Sequence, residues 1–357
     1  MAKPENRRDS VPKLLSPIKS LSGAVRVINA GADEIYCGVR IPGFGDFELY
    51  RGAGTEVTTY DEFRRIVEYA HAYSVNVLVT VNQPFMVNAL EKHLRRHMQS
   101  CLDAEVDALI IGDLGILSLA RELNDDVELI ASTYLSALNT ETVAFLKEVG
   151  FDRVILERQI PINEIEDIVR SSDLKIEAFI HGSGCSNINV NCYLYHYKFP
   201  AMDRALLTID GIKFPCALPF EVYDATTDER LGSLPVVDAY TFCSLCRLPE
   251  LVHSGLYGLK IEGRGINEDY QESTTRLYRE SIDMILQGME EEFMEKLTTL
   301  KESFIPLPHD LPLTNLHELC CEQRRCYYSP LFHTPYREPL SWKTWTKLQY
   351  KLLVLQR

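Results

Sequence analysis

The strongest constraint on this chain is a regular alternation of short β-rich runs with amphipathic helical stretches. Eight runs have strand character, at 12–17, 33–39, 75–82, 108–113, 127–133, 152–157, 175–181 and 258–264. Helical periodicity lies between them near 20–30, 60–73, 86–104, 115–123, 140–149, 162–171 and 247–255, and again after the last run at 268–287. The turns at 30–33 (Ala-Gly-Ala-Asp) and 149–152 (Val-Gly-Phe-Asp) end helices at glycine and open the next strand. Eight βα units in one chain predict an α/β fold of the (β/α)8, TIM-like barrel type rather than an open doubly wound sheet.

One interval breaks the rhythm. About 75 residues separate the seventh and eighth runs, and they contain Cys185, Cys192, Cys216, Cys243 and Cys246. Long loops inside a compact domain are usually functional, and one that leaves the C-terminal end of a barrel strand lies on the catalytic face. The expected organisation is a flexible N-terminal tail at 1–11, a barrel at 12–290 with its cysteine-bearing insertion at 182–257, and a C-terminal extension at 291–357.

Charge separates these parts. The 357 residues carry a formal net charge of −14, which disfavours broad nucleic-acid binding. From Arg324 to Arg357, however, seven Lys or Arg face one acid, Glu338. No stretch approaches the roughly 18 apolar residues of a membrane span, so no membrane association is expected. The polar segment Met1–Ser10 lacks the apolar core of a signal peptide, which points to the cytoplasm. Ten cysteines in that compartment suggest metal or redox chemistry rather than a disulfide framework. Cys37 and Cys101, inside apolar segments, read as core residues.

Side chains alternate along a strand, so polar residues at every second position mark the face turned away from the helices. This places Asn76, Leu78, Thr80 and Asn82 inward, with Glu177, Phe179 and His181, and with Lys260, Glu262 and Arg264. Tyr36, Asp113, Thr133 and Glu157 fall inward at or near strand ends. His181, Glu157, Asp113, Glu262 and Arg264 are the catalytic candidates. A histidine suits proton transfer near neutral pH, and an arginine can grip a carboxylate or phosphate through two bonds. The structural alternative for Glu177, Lys260 and Glu262 is a buried ion-pair network.

Thiolates in the insertion suit a [4Fe–4S] cluster, which needs one per iron, and equally a four-cysteine zinc site. The spacing is unlike a zinc ribbon, because only Cys243 and Cys246 form a tight Cys-x2-Cys pair. Taken alone, the residues leave cluster and zinc level.

The segment 177–185 (Glu-Ala-Phe-Ile-His-Gly-Ser-Gly-Cys), followed after six residues by Cys192, resembles the signature of the peptidase U32 family. The stretches 30–38, 248–264 and Pro215-Cys216 resemble its second strand, its closing helix and strand, and its third-cysteine segment. The likeness covers about residues 12–287. It implies an oxygen-independent hydroxylase with a [4Fe–4S] cluster on Cys185, Cys192, Cys216 and Cys243, and with prephenate implicated as oxygen donor. Cys243 is preferred to Cys246 because the family cysteine lies five residues before the leucine matching Leu248. Members of the family act on a quinone ring or on a pyrimidine in tRNA or ribosomal RNA. Val190, Tyr195, Gly184 and the first strand at 15–20 depart from the family pattern around the mouth.

Three functions follow. The first is an iron–sulfur hydroxylase acting on an organic substrate at the barrel mouth, whether small molecule, RNA base or peptide. The second is a peptidase, for which His181 and Cys185 would supply a thiol–imidazole pair. The third is a partner or binding subunit, in a homo- or hetero-oligomer with a second U32-like chain. Its basic, aromatic extension (Tyr327, Tyr328, Trp342, Trp345, Tyr350) would engage RNA, peptide or protein. Helical spacing of Trp345, Leu348, Leu352 and Leu355 instead predicts a C-terminal helix docked on the barrel. Cys320, Cys321 and Cys326 are candidates for a second metal, with Cys246 or His317 completing it.

Overall fold

A computed structural model describes residues 11–41, 56–82, 88–183, 188–192, 219–224, 226–235, 241–303, 327–328 and 350–351. Eight parallel strands form the central sheet. They are β1 (Lys13–Pro17), β2 (Glu34–Cys37), β3 (Asn76–Val81), β4 (Ala108–Ile111), β5 (Glu128–Ala131), β6 (Arg153–Ile155), β7 (Lys175–Ser183) and β11 (Gly258–Ile261). Their order is β7-β11-β1-β2-β3-β4-β5-β6, and β6 pairs back onto β7 to close the barrel. Seven of these strands lie within the predicted runs, and β7 extends two residues further.

The connecting helices are α1 (Leu21–Asn29), α2 (Tyr60–Ala72), α3 (Asn88–Leu102), α4 (Leu114–Leu123), α5 (Thr140–Glu148), α6 (Ile162–Ser171), α7 (Leu248–His253) and α8 (Glu268–Leu286). Ser20, Thr59, Asp113, Asn139 and Asn267 each accept a first-turn backbone N–H at a helix start. Caps of this kind contribute about 1 kcal/mol apiece and explain why the helices begin where they do. In α6, Ile162, Ile165, Ile168 and Val169 form a buried stripe at helical spacing. A further helix, α9 (Glu290–Ser303), packs on α8 and sends Phe293 and Leu297 into the same core. No helix among the described residues is long and apolar enough to cross a membrane.

Within the insertion, β8 (Pro219–Asp224) and β9 (Arg230–Pro235) form an antiparallel pair, and β10 (Thr241–Cys243) runs antiparallel to the end of β7. A short strand β12 (Tyr350–Lys351) adds to β8. The docked C-terminal helix expected around Leu348 therefore does not run through these two residues. The edge of β8 offers unpaired backbone groups, and strand addition satisfies them.

Charged residues fill the lower barrel. Arg153, only 1% exposed in its side chain, reaches Glu34 at 2.6 Å and Glu177 at 2.9 Å, and also bonds Glu128. Burial opposes a charged guanidinium there, but the Glu177, Glu34 and Glu128 carboxylates overcome it and hold the charge. Lys260 completes the set, 3.5 Å from Glu177 and 3.7 Å from the centroid of the Tyr36 ring. Gly258 makes the layer possible, because an added Cβ would meet Leu15 at 2.8 Å and Glu177 at 3.0 Å.

Candidate active site at the barrel mouth

The predicted network of Glu177, Lys260 and Glu262 divides in two. Glu177 and Lys260 belong to the lower barrel, whereas Glu262, just past β11, pairs at 2.8 Å with Arg158, just past β6. Arg158 also donates at 2.9 Å to Asn189 and lies over the Phe179 ring, 5.1 Å from its centroid. Glu157, beside it, accepts the Asn189 backbone N–H at 2.9 Å and its side-chain amide at 3.1 Å. Two adjacent residues thus clamp Asn189, which opens the 3-10 turn Asn189–Asn191 leading into Cys192. Glu157 positions a loop here. Arg158 and Asn189 were absent from the predicted set, although a charged residue one step beyond a strand's C-terminal end is a readable signal.

Arg264 donates at 2.6 Å to the Thr80 hydroxyl on the far side of the mouth, and Thr80 donates in turn to the Cys37 carbonyl. Tyr36 reaches the Ile261 carbonyl. Asp113 has a structural task as the cap of α4, accepting from Gly115 at 2.7 Å and Ile116 at 3.3 Å. Thr133 begins a 3-10 turn at Thr133–Leu135. Cys37 and Cys101 are buried as expected, and burial pushes the Cys37 thiol up to about 12.

His181 departs from strand alternation. Lys260 of β11 pairs with Phe179, but the next residue, Ile261, pairs with His181, so β7 carries a bulge at Ile180. The bulge turns His181 onto the helix layer, where Nε2 lies 2.6 Å from the Tyr270 hydroxyl and Nδ1 lies 3.3 Å from that of Tyr278. The imidazole is fully buried, and burial lowers its pKa to about 3. Burial thus favours the neutral ring, whose partners are two tyrosines of the helix layer rather than groups in the barrel interior, where alternation put it. Gly182 follows with φ +133°, and a Cβ there would stand 2.4 Å from that of Glu262. The His-Gly pair is thus the local requirement for bringing β7 against the Glu262 segment.

Two of the four predicted cluster thiols are described. Cys243, fully buried, ends β10 opposite His181, and Cys192, 8% exposed, follows the clamped turn. Cys185 and Cys216 lie outside the described residues, as do Cys320, Cys321, Cys326, His317, Trp342 and Trp345. Cys246 has the Lys301 ammonium 2.7 Å from its sulfur.

Comparisons with known proteins place this chain among relatives of one family. An uncharacterized protease of Methanocaldococcus jannaschii is 31% identical over 81% of this chain and 69% of its own length. The 23S rRNA 5-hydroxycytidine C2501 synthase of Escherichia coli is 30% identical over 77% of this chain. A tRNA hydroxylation protein P of Helicobacter pylori is 29% identical over 76% of it. The matches span only 40% and 64% of those two hydroxylation proteins. Among solved structures, the U32 peptidase Mk0906 aligns over 50% of this chain and 73% of its own, with 14% identity and a TM-score of 0.40. The model of peptidase family U32 matches residues 19–305, and the chain belongs to that family.

Proposed function

We propose that this chain is an iron–sulfur-dependent, oxygen-independent hydroxylase that acts on a pyrimidine base of RNA. The observation that carries this is the mouth itself. Two buried cysteines, Cys192 and Cys243, lie at the same end of the barrel as the fixed polar groups Arg158, Asn189 and Glu262, with Arg264 bonded to Thr80 beside them. The relatives named for hydroxylation of tRNA and of ribosomal cytidine support the substrate class.

Buried cysteine thiolates are a suitable donor set for a cluster, with Cys185 and Cys216 as the proposed remaining ligands. A bound [4Fe–4S] cluster would supply one-electron chemistry next to the substrate ring. Zinc is less suitable, because it offers no redox step. The protein groups do the rest. Arg264, held across the mouth by Thr80, offers charge-assisted donors to an anionic oxygen donor such as prephenate or to an RNA phosphate. The basic segment from Arg324 onward is the proposed RNA contact on an otherwise acidic chain.

Peptide hydrolysis fits less well. A thiol peptidase needs an imidazole free to take the cysteine proton, and His181 is bound to two tyrosines on the helix side of β7. The test is anaerobic reconstitution followed by visible absorbance, with nucleoside mass spectrometry of RNA from a deletion strain. A brown protein and loss of one hydroxylated pyrimidine are expected. A colourless protein with peptidase activity would overturn the proposal.

A further inference from the structure

Two residues beyond the family match, Tyr327 and Tyr328, return to the barrel mouth and are buried there, at 0% and 6% exposure. Their contacts are specific. The Tyr327 backbone N–H donates at 3.3 Å to the carbonyl of Cys243, and the Tyr328 hydroxyl donates at 2.6 Å to the carbonyl of Phe179. The Tyr327 phenol is hydrogen-bonded to Arg158 and stands close to Glu262.

The place of these bonds explains their use. Strand β6 makes its last bond to β7 through Leu156 N–H and the Glu177 carbonyl, and Ser244 N–H, just past β10, takes the Ile180 carbonyl. Between them the Phe179 carbonyl falls in the seam left where one strand stops and the next begins. Tyr328 fills that seam. A buried carbonyl without a donor costs free energy, so the tyrosine stabilises the junction that the bulge creates.

We infer that Tyr327 and Tyr328 form a latch by which the C-terminal segment fixes the Cys243 strand and the Arg158–Glu262 pair, making these tyrosines positioning residues of the site. The latch does not depend on which group the thiols hold. It accounts for a feature that the basic, aromatic composition of the extension leaves open: part of that extension belongs to the catalytic end of the barrel.

Maleimide labelling of the full chain, stripped of metal by a chelator under reducing conditions, tests the latch. Cys243 is fully buried, and so are Cys37 and Cys101 deep in the barrel, which serve as internal references for global unfolding. In Tyr327→Ala and in Tyr328→Phe, Cys243 should label about tenfold faster while Cys37 and Cys101 stay protected, the effect expected for losing a contact of about 1.4 kcal/mol. Tyr327→Phe, which keeps the ring and the backbone donor, should restore most of the protection. Unchanged Cys243 labelling, or simultaneous loss of protection at all three cysteines, would overturn the latch. Hydrogen exchange on the unaltered, as-purified chain provides a second test that needs no variant. The Tyr327 amide should exchange as slowly as the amides of β10, and exchange at the rate of a free peptide would overturn the inference.

Discussion

The Nε2 atom of His181 lies 2.6 Å from the hydroxyl of Tyr270, on the helix side of β7 rather than in the barrel interior. A single bulge at Ile180 produces this. Tyr278 donates its proton to the Ile180 carbonyl and accepts from Ser244 N–H, so it serves β7 and the start of the next turn together. The histidine is a structural joint between the catalytic strand and α8, placed one residue before the glycine that lets Glu262 approach.

That geometry defines a tautomer. With the Tyr278 proton committed to Ile180, the set is satisfied when Nδ1 carries the imidazole proton and Nε2 accepts from Tyr270. Nitrogen NMR of labelled protein should show His181 as the neutral Nδ1–H form from pH 8 down to pH 5. An imidazolium signal appearing near the ordinary value of 6.5 would contradict it.

Gly182→Ala should be among the most damaging small substitutions in the chain. The added Cβ would meet Glu262 at 2.4 Å, in a backbone conformation with φ +133°. A loss of about 2–3 kcal/mol in urea unfolding is expected from strain and displacement together. A midpoint within error of the parent would show that β7 and the Glu262 segment can separate freely.

Arg153→Met should cost about 3–5 kcal/mol, because it leaves the Glu34 and Glu177 carboxylates buried without their shared cation. Adding Glu34→Gln and Glu177→Gln to that variant should recover part of the loss. Chemical denaturation of the parent, Arg153→Met, the Glu34→Gln/Glu177→Gln pair and the combination of all three measures both effects, and strict additivity would refute a coupled network.

Arg158→Lys should not substitute for arginine. One guanidinium bonds both Asn189 and Glu262 while lying over Phe179, and an ammonium lacks the planar fork to do all three. Faster labelling of Cys192, with little change in melting temperature, is the expected signature. Equal labelling in parent and variant would remove Arg158 from the support of that turn.

Acid sensitivity should report on His97. It is fully buried, with Nδ1 2.8 Å from the Tyr60 hydroxyl, and burial lowers its pKa from 6.5 to about 4. The folded state therefore favours the neutral ring. The stabilisation is complete above the unfolded value near 6.5 and is lost as pH falls toward 4. At pH 5 the loss from this one group is about 2 kcal/mol. Comparing the slope of unfolding free energy against pH in the parent and in His97→Gln isolates it, and identical slopes would exclude the histidine.

Much of the barrel was legible without coordinates. The valines at 75, 77, 79 and 81, alternating with Asn76, Leu78, Thr80 and Asn82, encode a strand with two distinct faces, and helix starts are written in Ser20, Thr59, Asn139 and Asn267. Glu177 and Lys260 were readable as interior charges, but the pairing of Glu177 with Arg153, more than twenty residues before it, is not written in local periodicity.

The sequence by itself determined the α/β alternation, the eight strands and the interval that carries the cysteines, because periodicity and capping depend on residues a few positions apart. Tertiary structure alone decided which way His181 points, that Glu262 leaves the lower network for Arg158, and that Tyr327 and Tyr328 return to Cys243 and Phe179. The physical reason is the same in each case. A bulge is created by pairing with another strand, and a buried carbonyl or charge takes whichever partner the closed barrel brings within reach.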